Sequence, residues 1–97
     1  MPYSTPIEQG FNILKLFIDG AEVLSILDIS RALGYTGPDA IRNTLKRLND
    51  EGYLIRGEVT RPNGTIKFYY LITPEGEKEF YRLEPDMQLR RVGIIKN

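Results

Sequence analysis

This 97-residue chain carries thirteen Lys and Arg, thirteen Asp and Glu, and no Cys or His. Without Cys and His there is no thiolate nucleophile, no imidazole acid–base chemistry, no disulfide staple and no zinc site of the Cys/His type. Glu75, Glu77 and Glu79 invite a metal or catalytic reading. They alternate along the first turns of an expected helix, where the helix dipole favours acids, and the structural reading is preferred. The scattered glycines form no G-x-x-x-x-G-K-[ST] loop for a nucleotide phosphate. Neither an enzyme nor a metal or other cofactor is expected. Recognition chemistry remains. Asp39, Arg42, Asn43, Lys46 and Asp50 share the outer face of one expected helix, and Arg61-Pro62-Asn63-Gly64 makes a turn with a basic tip.

Such side chains need rigid elements to position them. Thr5-Pro6-Ile7-Glu8 is a helix start, with a capping threonine, a proline at the first helical position and a capping-box acid. Ile7, Phe11, Leu14, Phe17 and Ile18 follow at helical spacing, and Asp19-Gly20 ends the helix. Ser25 and Asp28 open a second helix, and Gly34 stops it. Tyr35-Thr36-Gly37-Pro38 is a turn, and Pro38 leads a third helix to about Asp50 over an inner stripe of Ile41, Thr44, Leu45 and Leu48. After Gly52 the period becomes alternating. Residues 53–60 and 65–72 read as strands, with Ile66, Phe68, Tyr70 and Ile72 on one face. Thr73-Pro74-Glu75 starts a fourth helix expected to reach about Leu83, where Pro85 stops it; residues 91–95 read as a short strand or extended arm.

Helix, helix, turn, helix, hairpin, helix is the winged-helix order. One α-helix fits the DNA major groove, and a basic hairpin tip reaches backbone or minor groove beside it. In that context the outer face of the third helix reads as a DNA contact rather than as merely solvated surface. The stretches LSILDISRALG and DAIRNTLKRLNDEGYLIR, followed by KFYYLITPEGEKEF, resemble winged helix-turn-helix regulators of the MarR and PadR type over about residues 24–81. The last stretch is similar to the PadR-type "YY-x-L-T-x-x-G". The chain departs from the pattern in its neutral charge and in a turn after Gly34 that reads one residue longer.

The resemblance implies an α+β winged helix: a three-helix core, a two-stranded hairpin wing, and a C-terminal helix and tail. With no linker and no repeat, the chain reads as one domain over residues 1–97, with the helix-turn-helix at about 24–51, the wing at about 53–72, and residues 73–97 expected to serve dimerisation. The resemblance implies a homodimeric transcriptional regulator of double-stranded DNA. Arg42, Asn43 and Lys46 of helix 38–50 would enter the major groove, where Asn pairs with adenine and Arg with guanine. Thr36 and Asp39 would lie at the helix entrance, Asp39 as a cap or a cytosine contact. Arg61, Asn63 and Lys67 of the wing segment 60–67 would touch backbone or minor groove, with Arg47 and Arg31 flanking on phosphates.

Charge supports this placement mildly. Residues 37–70 hold six basic and four acidic side chains, against two and four in residues 1–36. The aromatics Phe68, Tyr69, Tyr70, Phe80 and Tyr81 could stack single-stranded bases, but filling the seam between wing and fourth helix accounts for them better. Ile13 and Leu16 lie off the first helix's stripe. Together with Phe80, Leu83, Met87, Leu89, Val92, Ile94 and Ile95 they exceed what one small core needs, and a dimer interface is the expected use. The first residues show no signal peptide, and no apolar run approaches the roughly 20 residues of a membrane helix. A cytoplasmic protein with no membrane partner and no evident small-molecule ligand is expected. The competing class is a winged-helix module for protein contacts without specific DNA binding, which zero net charge keeps open.

Overall fold

The computed structural model describes residues 5–92, with side chains through residue 88. The order is α1 (Pro6–Ile18), β1 (Leu24–Ser25), α2 (Ile26–Ala32), α3 (Asp39–Asp50), β2 (Leu54–Thr60), β3 (Ile66–Ile72) and α4 (Pro74–Val92). Local chemistry starts the helices as expected. Thr5 and Glu8 form a reciprocal capping box at α1, and Ser25 and Asp28 form another at α2. At α4 the Thr73 hydroxyl accepts the Gly76 N–H at 2.9 Å and donates to the Gly52 carbonyl at 2.6 Å. It therefore caps the helix and ties it to the turn entering β2.

β2 and β3 pair in antiparallel register from Leu54↔Ile72 to Thr60↔Ile66. The turn between them closes around Gly64, which takes φ +88°, a conformation glycine adopts without cost. A third strand joins the expected two: β1 pairs with β3, giving the order β1-β3-β2. Two residues are too short a run to show alternation. Their pairing is set by Tyr69 and Tyr70, far along the chain.

Phe11, Leu14, Phe17, Ile29, Ile41, Leu45, Leu48, Leu54 and Tyr70 are buried at the centre. Phe80 stacks on Phe11 with ring centroids 4.7 Å apart, joining α4 to α1. Gly76 lets α4 approach the base of the wing. A Cβ there would lie 2.1 Å from the Tyr53 carbonyl oxygen and 2.8 Å from Ile72 Cγ1.

Two expectations need correction. α4 does not stop before Pro85 but runs through it to Val92, so residues 91 and 92 are helical rather than extended. Proline inside a helix forfeits one hydrogen bond and costs about 3 kcal/mol. Phe80, Leu83 and Met87 recur on one helix face and pack on the core, and continuing the helix is what buries Met87. The second correction concerns the apolar surplus. Ile13, Phe80 and Met87 are 0%, 2% and 4% exposed within their own subunit and have almost no surface left for a partner. Leu16 and Leu83 are partly buried against the same core. For Leu89 and Val92 only the backbone is described, and Ile94 and Ile95 lie outside the described residues. Among the described residues no helix is long and apolar enough to cross a membrane.

Candidate nucleic-acid interface

α3 is the element that must be held still, and its inner face explains how. Ile41, Leu45 and Leu48 are buried. Thr44, buried beside them, donates its hydroxyl to the Gln9 side-chain oxygen. The Gln9 amide in turn donates to the Tyr35 hydroxyl at 3.0 Å and the Ala40 carbonyl at 3.2 Å. One side chain of α1 thus fixes the turn, the first residues of α3 and its second turn. The buried Ser30 of α2 donates to the Gly37 carbonyl at 2.8 Å, pinning the turn from the other side.

The outer face of α3 and the near face of the hairpin form a groove of about 470 Å³. Arg42, Asn43, Lys46 and Asn49 line its helical wall; Arg56, Phe68 and Tyr70 line the wall from the sheet. Strand alternation explains the second wall, since Leu54, Arg56 and Glu58 pair with Ile72, Tyr70 and Phe68 on the face turned to α3. The Arg56 guanidinium carbon sits 4.6 Å from the Phe68 ring centroid. Arg42 is paired with Asp39 at 2.8 Å, and Lys46 with Asp50 at 2.8 Å. Both pairs are exposed, and such pairs contribute only about 0.3–0.5 kcal/mol, so they are easily exchanged for another anion.

The groove brings together Arg42, Asn43 and Lys46 but not every expected residue. Arg47 points the other way. Its guanidinium meets Glu51 at 3.2 Å and the Pro6 carbonyl at 3.3 Å, in a second groove between α1, α3 and α4. It is held against the protein rather than offered beside Arg42. Asp39 is not the cap of α3: Pro38 occupies that position, and Asp39 binds Arg42. Thr36 is exposed in the turn before α3, and Arg31 is exposed on α2.

On the wing, Arg61 is exposed at the tip. The Asn63 side-chain oxygen is committed to the turn, accepting the Thr65 N–H at 3.1 Å and its hydroxyl at 2.7 Å. Lys67 lies on the sheet face opposite Arg56, 5.3 Å from the Tyr69 ring centroid. It adds to the charges acting on Asp28, whose carboxyl is held below its usual range chiefly by the Ser25 N–H and then by the Ser25 hydroxyl.

The aromatics form no single platform. Tyr70 and Phe80 are in the core, Phe68 lies beneath Arg56, and Tyr81 is exposed. Sequence reasoning passed over Arg56 and Asn49. Arg56 was legible in principle, because it sits two residues from the apolar Leu54 and so on the same face of the strand.

No protein-family model matches the chain, and no curated protein does. Solved structures do. A Thermoplasma acidophilum protein classed as a candidate transcriptional regulator superposes with TM-score 0.78 at 22% identity, covering 92% of this chain and 88% of that one. Bacillus subtilis PadR in complex with operator DNA gives 0.64 at 28% identity, over 75% of this chain and 44% of PadR. Bordetella bronchiseptica BpsR, whose DNA binding is regulated by 6-hydroxynicotinic acid, gives 0.68 at 20%, over 87% of this chain and 61% of BpsR. The chain therefore has the winged helix-turn-helix fold of MarR- and PadR-type regulators.

Proposed function

We propose that this protein is a transcriptional regulator that binds duplex DNA sequence-specifically as a homodimer in the cytoplasm, and that it is not an enzyme. α3 enters the major groove, and wing residues 60–67 lie along backbone or minor groove. The observation that carries this reading is the groove wall of α3, where Arg42, Asn43 and Lys46 project together from a helix buried on its other side. Asn and Arg are the side chains that read adenine and guanine bidentately. The similarity to PadR, solved on its operator, supports the same use of the fold. A dimer would present two such helices to two half-sites. Of the residues expected in that contact whose side chains are described, Leu16 and Leu83 are the two that retain some surface. Arg61 remains a wing contact in this reading, while Asn63 serves the turn first.

The test is fluorescence anisotropy of a labelled duplex from the gene's own upstream region against a scrambled duplex, across a salt series. Tight, sequence-dependent binding with a steep salt slope, lost in Arg42→Ala and Lys46→Ala, is the expected result. Sedimentation of the free protein and of the complex checks the dimer.

One observation favours a second reading, a module for protein contacts. The sheet face turned away from α3 exposes Ile55, Val59 and Leu71. Absence of binding to either duplex at low salt would favour it.

A further inference from the structure

Three cations line the groove between α3 and the hairpin, and they are not equivalent. Arg42 and Lys46 each spend their charge on a carboxylate of their own helix, Asp39 and Asp50. Arg56 has no carboxylate within ion-pairing distance among the described residues. Its guanidinium lies over the Phe68 ring, which orients it without neutralising it. Glu58 shares the sheet face of Arg56 but does not come within ion-pairing distance of it.

We infer that Arg56 is the principal phosphate anchor of this groove, held over Phe68 so that it meets the DNA backbone beside α3. The inference rests on the DNA-binding reading above. Its physical content is an asymmetry of availability. Arg42 and Lys46 have first to exchange a weakly held carboxylate of their own helix, whereas Arg56 has none to exchange and is already oriented by Phe68. A guanidinium held over a ring by its cationic carbon keeps N–H donors available for the two oxygens of a phosphate. Arg56 sits on a paired strand rather than at the turn, so the sheet fixes its position.

The full-length protein is titrated with the upstream duplex and with the scrambled duplex at several salt concentrations. Arg56→Ala is expected to weaken binding to both duplexes by a similar factor, about fivefold or more, and to lower the salt slope by about one. Arg56→Lys should keep the slope but not the full affinity. Phe68→Leu, which keeps an apolar residue and all charges, should weaken both duplexes less than Arg56→Ala while leaving the slope nearly intact. Unchanged affinity and slope in Arg56→Ala, with wild type binding normally, would overturn the inference and leave the DNA reading standing. So would a loss confined to the upstream duplex, which would make Arg56 a base reader. Failure of the wild type to bind either duplex would remove the DNA-binding reading itself, and the inference with it.

Discussion

α3 separates two grooves built from similar residues, and their difference lies in how charge is balanced. On the hairpin side Arg42, Lys46 and Arg56 face Asp50, with Asn43 and Asn49 between them. On the α1/α4 side Arg47 and Arg82 face Glu51 and Glu79 above Phe11, Leu14 and Leu48. There each arginine has its own acid, Arg47 with Glu51 at 3.2 Å and Arg82 with Glu79 at 2.7 Å. The Arg82 hydrogen bond, more than the charge itself, holds the Glu79 carboxyl below its usual range. One groove is closed electrostatically and braces the fold. The other offers polar side chains, two cations in exposed pairs and, in Arg56, one with no ion-pair partner among the described residues.

Mutations can break that comparison. The largest expected effect lies on the bracing side. Gly76→Ala drives a methyl into the Tyr53 carbonyl and should cost about 3 kcal/mol or more of stability, seen as a lower urea midpoint. A midpoint near wild type would mean that the α4–wing joint is looser than described. Next, Arg42→Ala or Asn43→Ala should each cost about 1–3 kcal/mol in upstream-duplex affinity. Arg47→Ala, only a few residues away on the same helix, should leave that affinity within about twofold, because an exposed pair contributes little and faces the other groove. Equal losses from the two arginines would erase the distinction between the grooves.

Gln9→Ala should cost about 1–2 kcal/mol of stability by leaving the buried Thr44 hydroxyl without its acceptor. It should also weaken DNA binding, since it frees the start of α3, and calorimetry with anisotropy on one variant would show both. The smallest effect is with pH. Asp28 and Glu79 have folded-state pKa values below their unfolded ones. Their stabilisation is complete above the unfolded carboxylate range, about pH 4, and is lost as pH falls through the lower folded values. Asp28→Asn and Glu79→Gln together should flatten thermal stability against pH below about 4. A profile as steep as wild type would remove these two acids from the account.

Much of the frame was legible because it is local. Thr5 with Glu8 and Ser25 with Asp28 announce helix starts through bonds spanning three residues, and the alternation after Gly52 announces strands. The outer face of α3 was legible for the same reason, since helical spacing alone groups Arg42, Asn43 and Lys46. β1 was not, because a two-residue strand exists only through its pairing with Tyr69 and Tyr70. The passage of α4 through Pro85 was not either. The proline rule is local, and the burial that overrides it at Met87 comes from α1 and the core.

By itself, then, the chain's sequence determined the order of the helices and the hairpin, where the helices start and the residues available for recognition, because caps, turns and periodicity act within a few residues. The tertiary structure alone decided which groove each charge faces. Arg47 and Arg42 are both basic residues of one helix, and only the packing of α1 and α4 against one side sends Arg47 to Glu51 and Pro6. Arg56 joins Arg42 only because strand pairing carries it across from the hairpin. Ile13, Phe80 and Met87, apolar surplus when read along the chain, became core once α1 and α4 met. Contacts between distant residues carry no periodic mark, so their outcome appears only when the elements are packed together.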